Sequence, residues 1–368
     1  MRHEYLSALH ESGSASSATG WTPQFITIER GGALVAACPL YLKDHSYGEY
    51  VFDWAWADAY HQHGLAYYPK LLVAVPFTPV PGARLMARDG DAREWLLKAI
   101  LQLARVSKLS SIHLLFLDDA DRQAAERAGW MLRSGVQFHW TNRRAASVDD
   151  VARSPQRYAD WGDFLASLAR DKRKKIAQER RRVADAGVQL RALSGHEIGA
   201  ADWDFFHRCY TRTYREHHST PYLRRDFFAR MARTMPSNWL MFIAEHAGRP
   251  LAASLIAIDP VRGHAYGRYW GCVEHVPCLH FEACYYAPLA WCIEHGYVRF
   301  EGGAQGEHKM ARGLMPVPTH SAHWLAHPAF ADAVARFLER EGDGVAAYVD
   351  ELRERSPFKA ERNPLPEP

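Results

Sequence analysis

The sequence predicts an α/β protein of two tandem domains of one fold, each with a mixed sheet, joined by a long basic helix. Three observations carry this. The run Phe25–Ala37 returns as Phe242–Ser254, Tyr47–Tyr50 returns as Tyr266–Tyr269, and Phe138-His139-Trp140 is echoed by Ala322-His323-Trp324. A repeat on this scale lies far outside the roughly 20–50-residue units of solenoids. Each copy then runs from a hairpin signal into alternating helices and strands, which implies an antiparallel start, parallel units after it and helices on both faces. A chain of 368 residues, 48% apolar and 24% charged, suits two or three ordinary domains.

The elements follow in order. Residues 1–12 read as a short helix ended by a Gly/Ser-rich stretch, with no strand ahead of it. Phe25–Arg30 and Leu34–Leu42 flank Gly31-Gly32 as a hairpin. Tyr47–Ala59 reads as an aromatic strand, and the proline-rich Pro69–Leu85 as irregular. Apolar residues at 95, 96, 99, 100, 103 and 106 mark a helical face. Ile112–Leu117 is a buried strand, Asp118–Gly129 a helix and Met131–Asn142 a strand. Tyr158–Ala186 reads as one long helix closed by Gly187. The second copy continues with the strand Gln189–Leu193, the helices Asp202–Tyr214 and Arg224–Arg233, and the hairpin Leu240–Glu245/Leu251–Ile258. His264–Cys272, the helix His280–His295, the strand Val298–Glu301, the strand Ser321–Ala326 and the helix Ala329–Glu341 complete it. The expected divisions are 1–145 and 188–345 for the domains, 146–187 for the linker and basic helix, and 346–368 for a tail.

Charge is local. From Arg170 to Arg182 there are eight basic and two acidic residues, although the whole chain carries only +3. Lys172, Arg173, Lys174, Lys175, Arg180, Arg181 and Arg182 suit a polyanion such as tRNA, an anionic membrane surface, or a solvated helix face. Six cysteines form no C-x-x-C pair and read as reduced, buried residues. The N-terminus lacks a signal-like apolar stretch, and no apolar run reaches the roughly 18 residues of a membrane span. These points favour the cytoplasm, with a peripheral position on the inner membrane as the alternative. Among twenty histidines, His61/His63 and His217/His218 lack the i, i+4 spacing of a helical zinc motif, so no metal site is expected.

The order of elements resembles the GNAT acyltransferase fold. Phe300–Pro316, Tyr214–Tyr222 and Tyr47–Tyr60 resemble the FemAB-like family of peptidoglycan-associated acyltransferases, over nearly the whole chain. The resemblance implies an activated acyl donor, aminoacyl-tRNA or acyl-CoA, and an amine acceptor such as a cell-wall precursor, with no tightly bound cofactor. The acyl-CoA loop with its paired glycines is not evident at Cys272–Leu279. There is no G-x-S-x-G and no convincing cysteine nucleophile, so transfer would be direct.

Glu301, Gln305, Glu307, His308, Lys309 and Arg312 follow or flank Gly302-Gly303 at a strand end, where α/β sheets bind ligands. Glu301, Glu307 or His308 could take the amine proton. Lys309 and Arg312, three apart, could clamp a phosphate or carboxylate, and a salt-bridged loop is the plainer alternative. Tyr214, His217 and His218, with Tyr269, are candidate acceptor contacts. His280 and Glu282 begin a helix that could meet a phosphate, and Tyr285 within it could protonate a leaving group. Trp54, Trp56 and Asp58 belong to an aromatic, acidic stretch suited to a cleft at the domain seam or to ordinary packing. The second copy, with its Gly-Gly turn, is the expected seat of chemistry. A CoA-dependent enzyme acting on a small metabolite and a non-catalytic RNA- or membrane-binding scaffold are the alternatives.

Overall fold

The computed structural model describes residues 1–143, 156–304 and 306–359. They divide into two compact units. The N-terminal unit takes in Met1–Val136, Tyr222–Phe227 and Pro318–Asp350, and the C-terminal unit Gln137–Pro221, Phe228–Val317 and the described residues from Glu351.

In the N-terminal unit the strand order is Trp21–Pro23, Leu40–Lys43, Lys70–Val73, Ser111–Leu117 and the end of Met315–Leu325. Lys70–Val73 and Ser111–Leu117 run parallel, Leu71 opposite Ile112 and Val73 opposite Leu114. Ser111–Leu117 is buried along its whole length, as a parallel strand covered on both faces should be. The helix Gly90–Val106 lays Leu96, Leu97 and Ile100 into the same core. Asp89 caps it by accepting from the Ala92 N–H, and Asp118 caps Asp119–Arg127 through the Asp121 N–H.

Three expectations are corrected here. Tyr47–Ala59 is no strand: after a turn, Trp54–Gln62 is a helix. Trp56 and Tyr60 fall on one helical face and are buried, while Trp54 and Asp58 face outward. Leu34–Leu42 is split at Pro39, which has no N–H to give a ladder. Ala33–Cys38 pairs with Ile26–Arg30 and Met86–Ala87 in a small separate sheet, and Leu40–Lys43 enters the main one. The proline-rich stretch opens with a true strand, Lys70–Val73.

In the C-terminal unit the order is Gln137–Thr141 (the end of Met131–Thr141), Arg299–Ala304, His264–Cys272, Arg249–Asp259, Trp239–His246 and Val188–Ser194. Every neighbouring pair is antiparallel except His264–Cys272 with Arg299–Ala304. The helix Ala200–Glu216 lies so close that a Cβ on Gly271 would stand 2.2 Å from the Cys209 carbonyl oxygen. Tandem mixed α/β units with antiparallel strands leading into a parallel pair are the GNAT-like architecture expected from the sequence.

The repeated segments take different settings. Trp239–His246 is buried for six consecutive residues, whereas Ile26–Arg30 is mostly exposed. The reason is in the side chains: Thr27, Glu29 and Arg30 cannot enter a two-sided core. Tyr47–Tyr50 lies in a turn, while Tyr266–Tyr269 is strand. The aromatic-histidine echo is structural. Phe138-His139-Trp140 lies alongside Arg299–Glu301, and Ala322-His323-Trp324 alongside Ile112–Leu114.

The long helix is two. Trp161–Ser167 and Arg170–Asp185 are separated by extended Leu168 and Ala169. Leu168 bridges Phe358, and the Ala169 N–H reaches the Pro357 carbonyl at 2.8 Å, which satisfies the break. Helix Arg170–Asp185 is docked through Ile176, Glu179 and Val183. Among the described residues no helix is long and apolar enough to cross a membrane.

Candidate active site

The central parallel strands of the C-terminal unit pair for only three residues. His264 faces Arg299, Ala265 faces Phe300, and Tyr266 faces Glu301. Past that point His264–Cys272 continues along Arg249–Asp259, Tyr269 opposite Leu255. The other strand turns through Gly302-Gly303. Gly303 has φ +78°, and a Cβ on Gly302 would meet Leu314 Cδ2 at 2.6 Å and the Phe138 carbonyl oxygen at 3.1 Å. Only glycine fits both demands. The result is a point, just past Tyr266 and Glu301, at which the ladder between the two strands ends.

Glu301 is the last residue of its strand to pair with His264–Cys272. It is buried, and burial pushes its carboxyl up to about 7, against a partial counter-effect of Arg299 and Arg268. Arg299 Nε lies 3.3 Å from Oε1, while Oε2 has no hydrogen-bond partner. The His139 ring nitrogen is 3.8 Å from Oε2. Burial and Arg299 hold that imidazole neutral, down to about 3, and the Arg299 guanidinium donates to its Nδ1 at 2.5 Å. Glu301 is thus a carboxylate with one free oxygen and an ionisation point near neutrality. Those are the properties of a general base.

A second cluster covers the turn. Lys309 is buried on the 3-10 turn Glu307–Arg312, and its Nζ donates to the Gly303 and Ala304 carbonyls, both at 3.1 Å. Desolvation lowers its ammonium to about 8. His308 Nε2 is 3.3 Å from the Tyr285 hydroxyl, and His280 packs edge-on to Tyr285. Burial drops His280 to about 4 and raises the Tyr285 phenol. Arg312 does not point outward beside Lys309 as a clamp. It donates to the His308 carbonyl at 2.7 Å and to Glu179 Oε2 at 2.9 Å, with its guanidinium 3.7 Å above the Phe281 ring. A buried guanidinium needs a carboxylate, and Glu179 supplies it.

The helix over this cluster is bulged. Glu282–Tyr286 is a π-turn, and Ser254 Oγ donates to the Ala283 carbonyl at 2.6 Å. Such bulges recur at functional sites. Glu282 is bonded by the Arg180 guanidinium at 3.0–3.2 Å, and Tyr286 donates its hydroxyl to Glu179. Glu179, Arg299 and His139 were not singled out from the sequence. The available signals were a lone acid inside a run of cations, the i, i+2 spacing of Arg299 and Glu301 on one strand face, and the echoed histidine.

The remaining candidates are spread out. Tyr214 packs at a tilt against Tyr210, which meets Tyr269 edge-on, so Tyr214 and Tyr269 are linked by one ring cluster. His217 and His218 end the helix Ala200–Glu216 and are exposed. Glu307 is exposed on the turn, and Gln305 lies outside the described residues. Lys172 pairs with Asp171 at 2.8 Å, Arg173 is half-buried, and Lys174, Lys175, Arg181 and Arg182 are exposed. In the N-terminal unit Trp54 lies at the surface beside Tyr47, Trp56 packs on His113 and His323, and Asp58 is exposed.

The N-terminal unit has its own polar centre. Lys70, fully buried, donates to Ser46 at 2.7 Å, to Glu49 at 2.8 Å and to Asp53. Tyr67 donates to Asp53 at 2.6 Å, and His113 lies 2.7 Å from His323 between ring nitrogens. Four charged side chains, Lys43, Lys70, Glu49 and Asp53, are buried around balanced charge. Among the described residues no cluster of histidine, cysteine and carboxylate is placed to hold a metal.

A family model described as peptidoglycan biosynthesis/recognition, FemAB-like, matches residues 1–360. The chain belongs to the FemAB-like family. Its fold is similar to that of FemX, at a TM-score of 0.52 and 10% identity, over 90% of this chain and 93% of that one. It is similar to L-PGS from Bacillus licheniformis at 0.53 and 10%, over 92% and 97%. A third likeness is to the C-terminal domain of a putative lysylphosphatidylglycerol synthetase from Agrobacterium fabrum, at 0.51 and 10%, over 92% and 96%. No curated protein sequence matches. FemAB-like membership supports a general assignment to the acyl- and aminoacyl-transferases.

Proposed function

We propose that this FemAB-like protein transfers an acyl or aminoacyl group directly to an amine, with no covalent enzyme intermediate. The observation that carries this is Glu301: a buried carboxyl, pushed up to about 7, with one unbonded oxygen where the two central strands part. The amine loses its proton to Glu301 as it attacks the acyl carbonyl. Backbone N–H groups along the open edge beyond Tyr266 are suited to hold the carbonyl oxygen as charge develops. The leaving group departs with a proton, for which the Tyr285 hydroxyl, beside His308, is the candidate. Lys309 fixes the Gly-Gly turn by binding its carbonyls, so its role is to position that turn.

The donor in this reading is an aminoacyl-tRNA or an acyl-CoA, and the acceptor an amine of a cell-wall precursor. The family description supports the acceptor class. The test supplies labelled charged tRNA or labelled acyl-CoA with cell extract and identifies product by mass. Product from one arm fixes the donor, and Glu301→Gln must abolish it. No transfer in either arm would overturn the reading.

A further inference from the structure

The basic helix Arg170–Asp185 walls a groove that the transfer chemistry leaves unused. The groove is an open cavity of about 760 Å³. Its lining is apolar along most of its length: Ile176, Val183, Val188, Leu190 and Phe242, with Trp161 and Trp291 also on its wall. Small side chains, Ala177, Ala184, Ala287 and Ala290, leave it hollow. Its charged residues are Arg180, Arg181, Glu282 and Glu294. Arg180 is already spent on Glu282 and lies over the Trp161 ring at 5.2 Å. Arg181 is exposed with no ion pair among the described residues.

Arg181 also belongs to a stripe. Lys174 and Arg181 are seven apart, as are Lys175 and Arg182, so each pair recurs about 10.5 Å along one side of the helix. All four are exposed, and none has an acidic partner among the described residues. The helix cannot rotate to bury them, because Ile176, Glu179 and Val183 are fixed in the unit and Glu179 is bonded by Arg312 and Tyr286. Lys174 and Arg181 therefore form a fixed cationic edge beside the apolar trough, and Lys175 and Arg182 carry the charge round the helix away from it.

We propose that this groove binds an acyl chain of an anionic phospholipid, with the phosphate on Arg181 and the cationic stripe on the surrounding headgroups. A nucleic acid would use the cations but has no chain for the trough. Neutral lipid would use the trough and leave four cations unmatched. One acyl chain alone binds membranes only marginally, and chain plus polybasic patch is the combination that holds. Each cation near an anionic surface strengthens binding by roughly fivefold. The proposal is independent of Glu301, so its failure and that of the transfer reading are separable.

The test is flotation of the full chain with phosphatidylcholine vesicles and with vesicles containing one quarter phosphatidylglycerol, plus tRNA binding under the same salt. Preferential binding to the anionic vesicles is expected. The exposed substitutions K174E, K175E, R181E and R182E together should weaken it by at least about 100-fold, with unchanged circular dichroism. Brominated acyl chains should quench tryptophan fluorescence, and Trp161→Phe with Trp291→Phe should remove most of that quenching. Ala184→Glu should remove quenching while leaving much of the charge-driven binding. Glu301→Gln should float as the parent does. Equal binding to both vesicle types, quenching unaffected by the two tryptophan changes, or tight tRNA binding with no flotation would each overturn the proposal.

Discussion

Glu179, the one acid in the middle of the basic helix, accepts a hydrogen bond from Arg312 at 2.9 Å and another from the Tyr286 hydroxyl. All three side chains are buried. The helix that looks like a free polybasic connector is therefore tied by its single central acid to the turn carrying Lys309 and to the bulged helix carrying Tyr285. Arg180, next along, repeats the connection through Glu282.

Removing that acid should unfold more than a helix. Glu179→Ala leaves Arg312 buried with no carboxylate, a loss on the order of 3–5 kcal/mol. At about 2–4 °C per kcal/mol, the melting temperature of the full chain should fall by roughly 6–20 °C. Glu179→Gln retains an acceptor for Tyr286 and should fall less. Calorimetry of both variants checks this, and a Glu179→Ala protein melting within about 2 °C of the parent would show that Arg312 finds another partner.

Glu301→Gln should separate activity from stability. Loss of a general base costs roughly 100- to 10,000-fold in rate. In the parent, kcat/KM should rise with pH and level off above about 7, where Glu301 becomes ionised. The Gln variant should have no such limb. Its stability above pH 7 should equal or exceed that of the parent, because folding raises the carboxyl from 4.5 to about 7 and so disfavours the ionised form. A variant that lost stability and rate together would make Glu301 a structural residue.

Much of this was legible in the chain. The Gly302-Gly303 turn at a strand end, with Glu301 before it and Lys309 after it, was legible, and these residues lie on the strand Arg299–Ala304 and the turn Glu307–Arg312. The strands were legible where the pattern is apolar but for a residue at most, as at Ile112–Leu117 with its His113 and at Leu240–Ala244. The exceptions share a cause. Trp54–Gln62 is rich in aromatic residues, which favour strands, yet its burial pattern of Trp56 and Tyr60 has the helical period. Arg312 takes the plainer of its two readings, an ion pair, but its partner was not legible, because i, i+3 spacing states which face two residues share and says nothing of a carboxylate arriving from a helix more than a hundred positions earlier. The polar centre around Lys70 was illegible for the same reason: its members come from 43 to 323, and only the folded sheet collects them.

That centre should be a stability switch of the N-terminal unit. Lys70→Met removes the cation between Glu49 and Asp53, leaving two buried carboxyls with the Tyr67 hydroxyl and the His113 ring on Asp53 and the buried Lys43 as the remaining cation. The expected cost is about 3–5 kcal/mol. Adding Glu49→Gln and Asp53→Asn to Lys70→Met should recover a substantial part, since both buried carboxylates are then gone and only Lys43, lowered to about 7 by burial, remains of the four. Urea unfolding of the single and triple variants measures this coupling, and a triple variant no better than the single would argue against it.

Acid should destabilise the protein well above the pH at which most carboxylates protonate, and the balance can be worked out. Burial holds His113 far below its ordinary value, and His139 and His323 down to about 3. Unfolded, each takes a proton near pH 6.5, so between about 6.5 and 3 the unfolded chain binds more protons and stability falls as pH falls. Glu49 and Glu301 act the other way. Both are pushed up to about 7, so between about 4.5 and 7 the folded chain binds their protons first. Three imidazoles against two carboxyls leave the unfolded chain with the greater proton uptake, so these groups together lower stability as pH falls from 6.5 to 4.5. The half-buried His280, lowered to about 4, adds to it. Below about 4.5 the carboxyls cease to differ, and the slope should steepen towards the full contribution of the histidines. Urea unfolding at pH 7, 6, 5 and 4 should trace this two-stage loss, and His323→Gln should flatten it. A stability that rose on acidification from pH 6.5 to 5 would show that the carboxyls outweigh the buried imidazoles.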